Sequence, residues 1–149
     1  MILHKVRVYP SKIKLDRKNQ LAWKIAEIAS DNAKLNEETI EMSINRIIDN
    51  ASVAIASLNR GPVVSSREMA LKHPKKNGAT LFGINSKLKF DCEWAAWSNS
   101  TAVRELDFHD TFLAADYSHP GDNISPLLAV AQQKKKKWFR FVKRNNHIV

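Results

Sequence analysis

The sequence has very little cysteine and no long apolar run. Cys92 is its single cysteine among 149 residues, and neither a CxxC spacing nor a cysteine–histidine ligand spacing surrounds it. One thiol cannot build an internal disulfide framework, so we expect a reducing compartment and a small core residue at Cys92. No apolar run approaches a membrane span, and the segment MILHKVRVYPSK lacks the apolar centre of a secretory signal. These absences predict a cytoplasmic protein without a membrane anchor.

Acidic residues are also absent after Gln133, where the basic residues are concentrated. Seven of the 24 lysines and arginines lie in this tail, residues 134–149, so residues 1–133 carry a net charge of only +2 out of the total of +9. The tail also contains Trp138, Phe139 and Phe141, and could bind phosphates and stack on bases. We favour a different interpretation, in which the tail is disordered or is read in a shifted frame after an adenine-rich tract.

The strongest helical pattern runs from Glu37 to Leu58. Its apolar residues recur at spacings of three and four, which places them on one face of a helix: Ile40, Ile44, Ile47, Ile48, Ala51, Ile55 and Leu58. Asn36 is suited to cap the N terminus, and Gly61-Pro62 is expected to stop the helix. A shorter amphipathic pattern precedes it, at Leu21–Ile28.

Weaker patterns fill the rest of the first 133 residues. We expect a third helix after Ser65 or Ser66, a turn at residues 75–78 and a brief strand at Ala79–Gly83. A fourth helix is predicted for Asp91–Leu106 and a fifth from about Ser125-Pro126, capped by Asp122, Asn123 or Ser125. The predicted fold class is therefore mainly all-α, with one short strand or hairpin near residues 79–83.

The segment from Leu106 to Leu128, LDFHDTFLAADYSHPGDNISPLL, contains four aspartates and two histidines without sustained periodicity. Loops held between helices commonly carry binding or catalytic groups. His119 is the best acid–base candidate, because an imidazole titrates near neutral pH and Pro120 restricts its backbone. Asp107 and Asp110 could instead only cap backbone amides in a turn.

This segment lies within WAAWSNSTAVRELDFHDTFLAADYSHPGDNISPLLAVAQ, which resembles the MmgE/PrpD family, in its dehydratase branch. The resemblance extends more loosely through LAWKIAEIA and INRIIDNASVAIASL, and covers residues 3–133. It implies the N-terminal part of a helical domain, a homodimer in the full-length protein, and no metal or other cofactor. The implied activity is a hydro-lyase of propionate catabolism, in the methylcitrate cycle, that converts 2-methylcitrate into 2-methyl-cis-aconitate.

The resemblance also implies which residues serve the reaction. The family pattern D-F-D/N-D-T followed by H-P matches Asp107, Asp110, Thr111 and His119, and the D-N of the dehydratase branch matches Asp122 and Asn123. Catalytic roles are thus expected for His119, Asp107 and Thr111, and substrate-binding or supporting roles for Asp110, Asp122 and Asn123. His109 departs from the pattern, which has aspartate or asparagine at that position.

Charge limits what this loop could do alone. A substrate with three carboxylates would be repelled by four aspartates unless cations neutralise them, and the segment lacks such cations. Arg104 precedes the loop, but could equally pair with Glu105. We therefore expect the cations to come from elsewhere in a longer protein and the chain alone to be inactive.

Other functions remain open from the sequence. The chain could be a non-catalytic helical module that needs a separate C-terminal partner, or could bind nucleic acid through its tail. Within the family, it could act as a citrate- or aconitate-type hydro-lyase or as a cis-aconitate decarboxylase. A metal site is a further alternative, although the spacing of its mixed ligands fits no strong motif: Asp107, His109, Asp110, Asp116, His119 and Asp122.

Overall fold

The computed structural model describes residues 2–32, 35–113 and 117–135. In these ranges the chain is mainly helical, which confirms the predicted class. The helices are α1 (Leu21–Ser30), α2 (Glu37–Ala56), α3 (Gly61–Leu71), α4 (Cys92–Arg104) and α5 (Gly121–Gln133), and the strands are β1 (Pro74–Ala79), β2 (Phe112–Leu113) and β3 (Tyr117–Ser118). The predictions for most of the basic tail fall on residues 136–149, outside the described residues. None of the helices in these ranges has the length and apolar content that a membrane crossing requires.

Helix α2 confirms its predicted start and part of its predicted apolar face, since Ile40 and Ile47 pack against Ile124. The Asn36 side chain accepts a hydrogen bond from the Thr39 N–H at 2.9 Å, as an N-cap residue should. Three isoleucines of the predicted stripe are nevertheless exposed, namely Ile44, Ile48 and Ile55, whereas Ser43, Asn50, Val53 and Ala54 are buried. The buried face is set by small residues that admit α3 and α4, and by polar groups that contact the loop between α4 and α5.

Helix α3 begins earlier than predicted. Gly61 and Pro62, which were expected to stop α2, form the first turn of α3 instead, and α2 has already ended at Ala56. Proline is favoured in a first turn because its missing N–H would have no partner there. The prediction of a start after Ser65 or Ser66 was therefore wrong by about one turn.

The predicted strand at residues 79–83 is displaced towards the N terminus. Strand β1 occupies Pro74–Ala79, and the backbone beyond it bonds to side chains rather than to another strand. Asn99 of α4 accepts a hydrogen bond from the Phe82 N–H at 2.9 Å and donates one to the Thr80 carbonyl at 3.0 Å. Because these buried groups are satisfied by an amide side chain, the segment has no need of a neighbouring strand.

Helices α4 and α5 pack against each other more extensively than any other pair of elements. Small residues on α4 permit this close approach, since Ala95, Ser98 and Ala102 are all buried. Cys92 is partly buried against the same core, as expected for a small apolar residue. The pair fixes both ends of the intervening loop.

Helix α5 starts at Gly121, four residues before the predicted start near Ser125-Pro126, so Pro126 lies inside it. None of the predicted local caps begins the helix. The Gly121 N–H donates instead to Oδ1 of Asp110 at 3.0 Å, a residue that lies eleven positions earlier in the chain. The start of α5 therefore depends on a tertiary contact that periodicity cannot reveal.

Candidate active site

The loop between α4 and α5 contains a small antiparallel hairpin. Strands β2 and β3 pair with Phe112 opposite Ser118 and Leu113 opposite Tyr117. Residues 114–116 between the strands, Asp116 among them, lie outside the described residues. The hairpin brings its two flanking residues together, and Thr111 Oγ1 lies 3.4 Å from His119 Nδ1.

The imidazole of His119 is held in one tautomer. Its Nδ1 lies 3.1 Å from the backbone carbonyl oxygen of Asp110. A carbonyl oxygen can only accept, so Nδ1 carries the proton and Nε2 retains a lone pair. The side chain is partly buried and the Tyr117 ring lies edge-on to it at 6.3 Å. His119 can therefore take up or release a proton at Nε2, as an acid–base group must.

Asp110 joins three parts of the structure. Its Oδ1 accepts from the Gly121 N–H at 3.0 Å and from Asn50 Nδ2 at 2.8 Å, and its Oδ2 lies 3.2 Å from Arg46 Nη1. The carboxylate is only 13% exposed. Both of its oxygens thus contact protein donors, and this side chain links the loop to α2 and to the start of α5.

Gly121 permits that junction because it has no side chain. A Cβ atom at this position would lie 2.0 Å from Asn50 Oδ1 and 2.7 Å from Asp110 Oδ1. The backbone of α5 therefore approaches α2 as closely as glycine allows.

Asp107 and Asp122 meet at Arg104. The guanidinium Nη2 lies 3.4 Å from Asp107 Oδ1, and its Nε lies 3.8 Å from Asp122 Oδ1. Its Nη1 lies 2.8 Å from His109 Nε2. Asp107 has a positive φ of 49°, which is uncommon for a residue with a side chain and which aspartate tolerates better than most.

These contacts correct the expectation that the loop lacks cationic partners. Arg46 from α2 pairs with Asp110, and Arg104 pairs with Asp107 and Asp122. Glu105, the alternative partner of Arg104, is instead bonded to Arg60 at 3.1 Å. The cationic partners that the sequence did not reveal are therefore supplied by α2 and α4.

His109 lies at the centre of the site with no exposed side-chain surface. Its ring centroid is 4.7 Å from that of His119. Burial lowers the pKa of His109, and the nearby Arg104 cation and His119 lower it further, against the opposing effect of Asp122 and Asp110. The imidazole is therefore neutral at neutral pH.

The structure brings the predicted residues into two neighbouring groups. His119, Thr111 and the backbone of Asp110 form one group, and Asp107 and Asp122 form the second around Arg104. Asn123 lies in the first turn of α5, partly buried, with its N–H bonded to the Pro120 carbonyl at 3.1 Å.

Sequence reasoning missed Arg46 and Asn50, and it considered His109 only as a ligand in the alternative metal site. Arg46 and Asn50 lie one turn apart on α2 and therefore share a face of the helix, but α2 carries many other polar residues, and no signal in the sequence singled out this pair. Within the described ranges, no three histidine, cysteine, aspartate or glutamate side chains lie together in a way that could hold a metal ion.

The chain belongs to the MmgE/PrpD family, whose N-terminal domain matches residues 19–145. This match continues past Gln133 into the basic tail, and the predicted boundary at that residue stays a prediction.

Three relatives illustrate the similarity. The chain is similar to 2-methylcitrate dehydratases of Salmonella typhi and Escherichia coli K12, at 46% and 42% identity over 55 residues. It is also similar to the mitochondrial 2-methylcitrate dehydratase of Yarrowia lipolytica, at 50% identity over 55 residues. Each match covers 37% of this chain, 11% of the two bacterial proteins and 10% of the yeast protein. The matched segment thus spans about a tenth of the length of these curated relatives.

Proposed function

We propose that the chain provides part of the active site of a hydro-lyase that converts 2-methylcitrate into 2-methyl-cis-aconitate. Family membership and the names of the relatives support the reaction class. The observation that carries the proposal is the hydrogen bond between His119 Nδ1 and the Asp110 carbonyl, which leaves Nε2 free for proton transfer.

The reaction needs two proton transfers. A base removes a proton from the carbon next to the hydroxyl-bearing carbon, the C–O bond breaks, and an acid protonates the departing hydroxide, so that a C=C bond and water form. His119 serves as the acid–base group at Nε2. The Thr111 hydroxyl, 3.4 Å from the His119 ring, donates to the substrate or to the leaving oxygen. Asp107, whose carboxylate is oriented by Arg104, is the candidate for the second proton transfer.

Charge indicates that these residues do not form a complete site. Arg46 neutralises Asp110, whereas the single cation of Arg104 serves both Asp107 and Asp122. The group around Arg104 therefore keeps a net negative charge, and both of these arginines are already engaged. A substrate with three carboxylates requires additional cations. We propose that residues of a longer protein, outside these 149 residues, provide them and that the chain alone does not turn over 2-methylcitrate.

Two measurements test the proposal. The purified chain is incubated with 2-methylcitrate, and formation of the unsaturated product is followed by ultraviolet absorbance and mass spectrometry. A chimera is assayed in parallel, in which residues 19–133 replace the aligned part of the N-terminal domain of the E. coli relative. We expect no product from the chain and dehydration by the chimera.

Each arm has an outcome against the proposal. Turnover by the chain alone would show that no further cations are needed. A folded chimera that releases carbon dioxide from cis-aconitate and does not dehydrate 2-methylcitrate would replace the proposed reaction with decarboxylation.

A further inference from the structure

The contact between Arg104 and His109 defines the protonation state of a buried imidazole. Arg104 Nη1 lies 2.8 Å from His109 Nε2, and a guanidinium can only donate. The Nε2 atom must therefore accept, and the proton of the neutral ring lies on Nδ1. Nδ1 is itself buried and has no hydrogen-bond partner in the described part of the chain. A buried N–H group without a partner, such as His109 Nδ1–H, lowers stability. The hydrogen bond from Arg104 to Nε2 therefore forms in spite of this unfavourable contribution.

We propose that His109 is a positioning residue whose neutral ring holds Arg104 between Asp107 and Asp122, and that protonation of this ring releases the arginine. Only the consequence for catalysis rests on the proposed function, because Asp107 is a candidate catalytic residue there. The positioning itself concerns this chain alone.

Protonation would change His109 Nε2 from a hydrogen-bond acceptor into a donor. A protonated ring has an N–H at Nε2, which would face the N–H of Arg104 with a like charge. Asp122 Oδ1 lies 3.7 Å from the same nitrogen and would become its partner. Arg104 would then lose His109 and share Asp122 with it.

The charged and titratable groups that act on His109 lie on α4, on α5 and in the loop between them. Arg104 from α4 and His119 from the loop oppose its protonation, whereas Asp122 from α5 and Asp110 from the loop favour it. The effect of Asp110 is reduced because Arg46 from α2 neutralises that carboxylate. The balance keeps the ring neutral while Arg104 is in place.

Release of Arg104 would remove the ion-pair partner of Asp107. This carboxylate is 75% exposed, and its contact with Arg104 lies across the end of α4, at 3.4 Å. Its positive φ is a conformation that the surrounding structure must maintain. Loss of the arginine would free the carboxylate that the proposed reaction uses.

Matched substitutions separate positioning from simple space filling. In His109→Gln, the amide oxygen reaches approximately to the position of Nε2, accepts from Arg104, and cannot be protonated. In His109→Leu, a similar volume remains but no acceptor does. A role in packing alone predicts equal behaviour of the two variants.

The test is nitrogen-15 NMR of histidine and arginine side chains in the purified chain, between about pH 5 and 8. At neutral pH we expect the Nδ1–H form of His109 and a slowly exchanging Arg104 side chain, which is lost as His109 titrates. His109→Gln should keep Arg104 ordered at every pH, and His109→Leu at none.

Two results would overturn the proposal: a proton on His109 Nε2 at neutral pH, or the same Arg104 behaviour in both variants. If His109→Leu does not fold, Arg104→Met provides the second measurement. Removal of the cation should raise the titration midpoint of His109, and an unchanged midpoint counts against the contact. None of these readouts involves substrate, so failure of the chimera to dehydrate 2-methylcitrate leaves them unaffected.

Discussion

Asp110 Oδ1 accepts a hydrogen bond from the Gly121 N–H at 3.0 Å, so a carboxylate of the loop begins helix α5. The first turn of a helix has N–H groups without partners inside the helix, and a negative charge there is favoured by the helix dipole. The same contact sets the backbone of Asp110, whose carbonyl defines the tautomer of His119. The start of α5 and the chemistry of the candidate site therefore depend on one residue.

Substitution of Gly121 by alanine should destabilise the chain. The added Cβ would lie 2.0 Å from Asn50 Oδ1, so the buried Asn50 side chain must move and its hydrogen bond to Asp110 is disturbed, at a cost of about 1–3 kcal/mol. Gly61→Ala is the matched control, because Gly61 also begins a helix and a Cβ atom added there would meet nothing within 4 Å. Urea denaturation of both variants measures the difference, and equal stabilities would contradict the close approach.

Removal of the whole Asp110 carboxylate should lower the free energy of unfolding more than removal of its charge alone. Asp110→Ala removes the bonds to Gly121, Asn50 and Arg46 together and leaves a mostly buried arginine unpaired, which we expect to cost about 3 kcal/mol. Asp110→Asn should cost less, since its amide oxygen can still accept from the Gly121 N–H. The free energy of unfolding is compared with that of Asp16→Asn, whose side chain makes no capping bond. An Asp110→Ala variant as stable as this control would show that the contacts of Asp110 with α2 and α5 do not stabilise the chain.

Both the oxygen and the NH2 group of the Asn99 side chain should be needed for stability. Asn99→Asp keeps an acceptor for the Phe82 N–H but loses the donor to the Thr80 carbonyl, and it places a charge in a buried position. We expect a loss of at least about 2 kcal/mol in the free energy of unfolding. Asn85→Asp, at a site where the side chain only accepts from the Lys87 N–H, should have little effect. Similar losses for the two variants would show that the bridge is unimportant.

Stability should decrease at acidic pH through His109. Burial and the Arg104 cation lower the pKa of His109 in the folded chain, so the unfolded chain, with a pKa near 6.5, binds the proton more readily. The contribution of the neutral ring is therefore complete above about pH 6.5 and is lost as the pH falls below that value. Urea denaturation between about pH 5 and 8 should show a shallower decline for His109→Gln than for the parent chain. His73→Gln is the control, and a decline unchanged by His109→Gln would contradict the prediction.

Helices α1, α2 and α4 were predictable because their signals are local. Apolar spacing and a capping asparagine placed the start of α2 correctly, and the start of α4 follows Asp91, whose side chain accepts from the Glu93 N–H. The buried face of α2 was not predictable in the same way. Its isoleucines satisfy the helical period, but the packing partners select the face with Ala54 and Asn50.

The contacts that bring the candidate residues together could be predicted from the sequence only in part. The motif identified His119, Asp107 and Thr111, and the hairpin that brings His119 to Thr111 spans only eight residues. The pairs that neutralise the loop connect positions far apart in the chain, since Arg46 and Asp110 are separated by 64 residues. Local patterns carry no information on such contacts, which is why the loop was expected to lack cations.

The central claim is that His119 transfers protons in the dehydration of 2-methylcitrate. The most direct measurement is the turnover number of the chimera with His119→Gln, compared with the unaltered chimera and with His73→Gln, whose ring stacks on Trp94 away from the site. Loss of an acid–base group predicts a fall in kcat of about 10²- to 10⁴-fold with little change in KM, and normal turnover in the His73 variant. A His119→Gln chimera that retains its kcat would contradict the account.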